Sequence, residues 1–316
     1  MSDSPREFSR GMIVLLAAAS ALGPVAMQIM LPAIPIVRET FEVSTGTAQL
    51  TLSLSMLSIA IATLIYGPLS DRYGRRPVML AGISITVIGS ILCMAADSIA
   101  WLIFGRIVQA AGGAVGLVLA RAIVRDTYPA DRAASVIATL VMVMVVMPML
   151  SPLVGGELMI RFDWHSIFYL VAAISLTMLF AMQRALPETL KKQTPFTGVG
   201  SMLKGFVTLL SSRIFSAYAM NVAFVSVMFF SFIAAAPEVM VSVLNRPPNE
   251  YGYYFVLIPS AFMAGNYVAR WLSTRFGVKR MITSGSWLSI TGISIALILH
   301  LGGLLHPLAL FMPIAL

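Results

Sequence analysis

Arg106 stands inside an apolar run, Ser98–Ala120, that carries no other charge. A guanidinium keeps its proton at physiological pH, so it cannot enter hydrocarbon as a neutral group, and burying it there costs at least about 2 kcal/mol. At about 1.5 Å per residue it lies about 10 Å from the nearer end of the run. Snorkelling to the surface would relieve part of that cost and would make the residue a packing detail. The functional reading is a cation held in a central cavity, bonded to the Gln109 region or to backbone carbonyls.

Three further groups of residues could do chemistry or move. In Gly67-Pro68-Leu69-Ser70-Asp71-Arg72-Tyr73-Gly74-Arg75-Arg76, the arginines alone would fix the topology of a loop. Asp71 adds nothing to that task, which points to a specific ion pair. Gly67 and Gly74 flank the charged core and permit a tight turn with close helix approach. Arg125 and Asp126 are candidates for the same charge cluster. In Pro148-x-x-x-Pro152-x-x-Gly155-Gly156, two prolines at i and i+4 break two backbone bonds on one helix face. The paired glycines then allow close packing against a helix of the other half of the chain. Gly112-x-x-x-Gly116 is a small-residue packing face.

A pocket would draw on polar or adaptable side chains at the middle of apolar runs. Met27, Gln28 and Met144 are candidates in the first half, and Tyr218, Asn221, Phe224 and Asn266 in the second. The chain has 21 methionines, which suit varied apolar ligands but serve equally as lipid-facing or core filler. Amides such as Asn221 and Asn266 want partners in hydrocarbon. Glu157 and Glu238 close two runs and are either interfacial acids or titratable groups. No phosphate loop, metal-ligand cluster or nucleophile elbow is present, so no cofactor, no metal and no catalytic residue is implied. His165, His300 and His306 are scattered near run ends, and the single cysteine, Cys93, allows no intrachain disulfide.

The elements that must position these residues are membrane spans. The chain is 59% hydrophobic and 11% charged, against about a quarter charged for a soluble domain. Runs of about 20 apolar residues are long enough to cross a bilayer. They occur at Gly11–Leu31, Thr47–Ser70, Pro77–Ala96, Ser98–Ala120, Ala133–Gly156, Trp164–Gln183, Ile214–Pro237, Tyr251–Ala269 and Met281–Leu299. A last run, Leu304–Leu316, is too short to span, and the chain is expected to be cut inside a helix. The first run has no small-residue cleavage site after it and reads as a retained helix.

Lysine and arginine orient the spans. Alternate loops hold Arg38, Arg161 and Arg246; every other basic residue except Arg106 falls on the opposite side. The N-terminus is therefore expected in the cytoplasm, and a net charge of +8 reads as topology rather than nucleic-acid binding. Segment 186–213, with its prolines, glycines and lysines, reads as a cytoplasmic linker. The expected organisation is a cytoplasmic N-terminus (1–10), a six-helix bundle (11–185), the linker (186–213), and a second, incomplete bundle (214–316). An internal repeat supports the division: Leu69-Ser70-Asp71-Arg72-Tyr73-Gly74-Arg75-Arg76 matches Leu272-Ser273-Thr274-Arg275-Phe276-Gly277-Val278-Lys279 in place and pattern.

The Gly67–Arg76 segment resembles the second-loop signature of the major facilitator superfamily, Gly-x-x-x-Asp-Arg-x-Gly-Arg-Arg. Arg106-Ile107-Val108-Gln109 with Gly112 and Gly113 resembles its fourth-helix motif. Pro148 to Gly156 resembles the fifth-helix motif of drug antiporters, with Ser151 where that motif has glycine. Leu31-Pro32-Ala33-Ile34-Pro35, Arg121-Ala122-Ile123-Val124-Arg125-Asp126 and Trp164-x-x-x-Phe168 are most similar to the Bcr/CflA multidrug efflux transporters.

The resemblance implies an all-α integral membrane protein with the major-facilitator fold, two pseudo-symmetric six-helix bundles, about ten of the twelve helices being present. It implies proton-coupled export of small drug-like compounds across a bacterial inner membrane. The partners would be a small-molecule substrate, protons and lipids, with no nucleic acid, and the protein would be a monomer. Arg106 and Gln109 would be coupling residues. Gly67, Asp71, Arg72, Gly74, Arg75 and Arg76 would latch the halves, with Asp71 facing a helix N-terminus of the second half. The subfamily carries an aspartate where this chain has Gln28, and a glutamine cannot exchange a proton. A metabolite carrier and a non-transporting membrane protein are the alternatives.

Overall fold

The computed structural model describes residues 8–190, 207–303 and 306–315. Most of the expected linker, residues 191–206, and most of the expected N-terminal segment lie outside them. So do the side chains of Ser273, Thr274, Arg275, Val278 and Lys279 in the repeat. The described residues form helices joined by short turns and loops, with no strand among them.

Proline and glycine set where each helix stops. The first helix, α1, runs Arg10–Gln28. The Pro32 ring has no N–H for the Gln28 carbonyl and would clash with it. The chain tightens there into a 3₁₀ turn, Leu31–Ala33, and resumes as α2, Ile34–Thr40. Next come α3 (Thr45–Tyr73), α4 (Arg75–Met94), α5 (Ile99–Thr127), α6 (Ala130–Arg161) and α7 (Ser166–Ala185). The expected run ending at Ala120 continues to Thr127. Nothing breaks it until Tyr128, whose α conformation Pro129 disfavours. Arg121, Arg125 and Asp126 are therefore helical.

The second half holds α8 (Arg213–Glu238), a π turn (Val239–Val243), α9 (Pro248–Phe255), α10 (Leu257–Phe276), α11 (Val278–Leu301) and α12 (Pro307–Ile314). The single expected run Tyr251–Ala269 is divided at Val256. Pro259 explains the division, because it offers no N–H to the Phe255 carbonyl.

The repeat is visible in the backbone. Gly74 joins α3 to α4 at φ 101°, and Gly277 joins α10 to α11 at φ 77°. Each is a one-residue corner in a region that side chains rarely adopt.

Eight helical runs among the described residues are long and apolar enough to cross a membrane. Their outer faces present large apolar side chains such as Leu57, Ile61, Phe104, Val222 and Ile298. Water would penalise such a surface; hydrocarbon would not. Inside, two apolar clusters belong wholly to the first half, one around Leu16, Met79, Leu119 and Met182 and one around Ile29, Leu102 and Phe168. A third is shared: Met27, Leu31, Ile34, Ala48 and Leu52 pack with Ile233, Ala236, Met240, Tyr251, Phe255 and Phe311.

Candidate functional site

Arg106 is 2% exposed and does not snorkel. Its Nη1 donates to the Ala26 carbonyl at 2.8 Å and to Gln109 Oε1 at 2.6 Å. Ala26 belongs to the last turn of α1, where carbonyls lack helical donors and the helix dipole is negative. The break before Pro32 thus creates the acceptor that holds the cation. Gln109 Nε2 donates to Ser90 Oγ at 2.8 Å, and Ser90 Oγ donates to the Thr86 carbonyl at 2.8 Å. Three helices, α1, α4 and α5, are joined through this one cation. The chain of bonds leaves two buried atoms without partners, Arg106 Nε and Gln28 Oε1.

At the end poor in basic residues, polar bonds tie the two halves together. Arg38 Nη1 donates to Glu238 Oε1 at 2.7 Å, and Ser242 Oγ donates to the same oxygen at 2.8 Å. Gln49 Nε2 donates to the Ala234 carbonyl at 3.2 Å. Glu157 Oε1 accepts from Tyr253 Oη at 2.6 Å and from Asn249 Nδ2 at 3.4 Å. The α6 motif makes this approach possible. A side chain on Gly156 would overlap the Asn249 backbone, and one on Gly252 would overlap Pro152 and Leu153. Gly155 departs from expectation: it faces the Ile29 carbonyl in the first half, not the second. Ser151 is explained as well. Pro152 has no N–H for the Pro148 carbonyl, and Ser151 Oγ donates to it at 2.8 Å instead.

At the basic end, the second-loop residues bind within the first half. Arg75 pairs with Asp71 at 2.5 Å and, through Nε, with Asp126 Oδ2 at 2.9 Å; its Nη1 also donates to Ser70 Oγ at 2.6 Å. Asp71 therefore faces Arg75 in this conformation. Arg72 lies over the Tyr73 ring, Arg76 donates to the Gln183 carbonyl, and Arg125 is exposed. Gly67 has open space around it.

Sequence reasoning missed Glu188. It accepts from the backbone N–H groups of Arg75 at 2.9 Å and Arg76 at 3.2 Å, at the start of α4. It also accepts from Thr189 and Leu190. Burial alone would raise its carboxyl, but the four N–H donors prevail and hold it below the ordinary carboxylate value. Its signal was available: an acid directly after a span, on the side where arginines gather.

The expected pocket residues are spread out. Met27 is buried in the shared cluster. Met144, halfway along α6, receives Arg121 Nη2 at 3.6 Å on its sulfur. Asn221 Nδ2 donates to Ser286 Oγ at 3.4 Å, and Asn266 bonds to the Phe262 carbonyl of its own helix. Tyr218 and Phe224 are 50% and 63% exposed.

The chain is similar to proteins of one family throughout. It is 29% identical over 258 residues to an uncharacterized transporter of the major facilitator type from Bacillus subtilis, covering 80% of this chain and 64% of that one. It is 25% identical over 290 residues to the bicyclomycin resistance protein homolog of Haemophilus influenzae, covering 89% and 73%. It is 29% identical over 266 residues to multidrug resistance protein D of Escherichia coli, covering 84% and 67%. The chain thus spans about two thirds of the length of these relatives. A bacterial homolog of the human lysosomal transporter Spinster, solved in an inward-facing unoccupied conformation, superposes with TM-score 0.76 at 18% identity, covering 98% of this chain and 72% of that one. The description of the Major Facilitator Superfamily matches residues 16–316. With the embedded arginine, the acid-bearing second loop and the proline–glycine helix in place, the chain belongs to the major facilitator superfamily.

Proposed function

We propose that this protein is a secondary active transporter that exports small drug-like or antibiotic compounds by proton-coupled alternating access. One observation carries the reading. The two halves are tied at one end by Arg38–Glu238, Gln49–Ala234 and Glu157–Tyr253, while at the other end the ion pairs of Arg75 with Asp71 and Asp126 stay within the first half. Such a seam can close at either end in turn. The α6 motif that shapes the closed end is the one that resembles drug antiporters. Relatives named for bicyclomycin and multidrug resistance support the direction of transport.

In the mechanism that follows, the N-terminus is cytoplasmic and the protein is a monomer in a bacterial inner membrane. Residues 11–185 and 214–316 rock about the Arg106 region. Gln28 cannot carry the proton. Glu157 and Glu238 are the acids that bind across the seam, and protonating either weakens its cross-half bond. Inward proton flow then resets the closed end after each export step.

Cells expressing the protein from its natural reading frame should tolerate higher drug concentrations, and Arg106→Ala should abolish the gain. In vesicles, drug addition should release protons, and neutralising Glu238 or Glu157 should reduce that release. Unchanged susceptibility and unchanged release would overturn the reading. Gln28 at the usual acidic position favours a second reading, a metabolite carrier without a proton site in the first span. Substrate uptake into vesicles without a pH gradient would distinguish it.

A further inference from the structure

We propose that the groove between α1 and α7 holds one acidic phospholipid, with an acyl chain along α7 and the phosphate against Arg184 and Arg10. The site concerns the membrane around the protein and stands whatever compound the protein carries.

A groove of about 350 Å³ opens between the two helices, lined by Leu15, Ala173, Ile174, Thr177, Met178 and Ala181. Met178 is buried and Leu15 is half-buried. Ala173, Thr177 and Ala181 recur at every fourth residue, so they lie along one side of α7. Their side chains are too short to fill the space. The one hydroxyl among the lining side chains is already used: Thr177 Oγ1 donates to the Ala173 carbonyl at 2.8 Å. Such a wall suits a hydrocarbon occupant and gives a polar one nothing to bond.

Length and charge then choose between hydrocarbon occupants. A lipid tail and an apolar helix fill such a groove about equally well, because neither leaves water to do so. Ala173 and Arg184 are eleven residues apart on α7, about 16 Å of helix. One leaflet of hydrocarbon is about 15 Å deep, half of a core of about 30 Å. The groove therefore starts near the bilayer middle and ends at a headgroup. That is the reach of one lipid, whereas a spanning helix of a second copy would need the whole depth.

The charges stand where the headgroup would be. Arg184 follows Thr177 by two helical turns, so it leaves α7 on the groove's side, and it is exposed. Arg10, also exposed, opens α1 five residues before Leu15. Both lie at the basic end of the bundle. The neighbouring acid, Glu188, is turned to the backbone at the start of α4. A phosphate takes charge-assisted bonds from a guanidinium. Each arginine near a membrane surface strengthens binding of an acidic lipid about fivefold. An ethanolamine headgroup would set its ammonium against both.

Native mass spectrometry tests the site by counting retained lipids. The protein, purified from its natural reading frame, is held in detergent with equal phosphatidylglycerol and phosphatidylethanolamine. It should retain one phosphatidylglycerol with a preference of about 25-fold, from two arginines. Arg184→Gln and Arg10→Gln should each reduce that preference about fivefold. Arg213→Gln removes an exposed arginine from the second half and should leave it unchanged. Ala181→Leu should fill the groove and release the lipid without moving the melting temperature. Equal retention of the two lipids would overturn the proposal, as would full retention in both Arg184→Gln and Ala181→Leu. A two-chain mass that Ala181→Leu splits would also overturn it, by giving the groove to a second copy.

Discussion

At the scale of single residues, Arg106 and Glu188 illustrate what a sequence shows and what it hides. Arg106 could be read directly, because a lone charge in a run of hydrocarbon must find polar company. Arg106→Ala would leave the Gln109 amide and the Ala26 carbonyl buried without their donor, at a cost of about 1–3 kcal/mol each. A drop in melting temperature in detergent should report it, and Gln109→Ala should give a smaller drop. Glu188 could not be paired from sequence, since its partner Arg75 is 113 residues away. Its folded carboxyl lies below the usual 4.5. The stabilisation it gives is therefore present above that value and lost as pH falls through the lower, folded one. Melting measured at falling pH should show this loss, and Glu188→Gln should flatten the slope and lower the melting temperature at neutral pH.

At the scale of elements, proline and glycine were the legible signals and pairing was the hidden one. Pro32, Pro129 and Pro259 each mark a break that the helices obey. The expected run Tyr251–Ala269 ignored Pro259 because apolar length masked it. The partners of Gly155 and Gly156 were beyond reach, since a small residue announces a close approach without naming what approaches. The structure sends Gly155 to α1 and Gly156 to α9. Gly156→Val would push a side chain into the Asn249 backbone and separate α6 from α9. Cysteine-accessibility labelling at the end poor in basic residues should rise in that variant. The Glu157–Tyr253 bond should weaken with it.

At the scale of the whole molecule, composition and basic-residue placement gave the fold class, and the repeated loop gave its internal symmetry. The positive φ at both Gly74 and Gly277 turns that symmetry into a shared backbone corner. The end at which the halves would meet was not readable, because Arg38 and Glu238 are 200 residues apart. Reversing one of them, as Arg38→Glu, should set two acids against each other and favour an open seam at that end. The double variant Arg38→Glu with Glu238→Arg should restore closure, as read by a bifunctional cross-linker spanning α2 and α8. The distribution of the apolar clusters has a consequence for the order of assembly during synthesis. Two of the three are complete once residue 190 has left the ribosome, whereas the third draws side chains from both halves. The early-made portion should therefore mature unaided and, expressed as residues 1–190, resist protease in the membrane. The later portion, expressed alone, should be degraded, and co-expression with its earlier neighbour should rescue it.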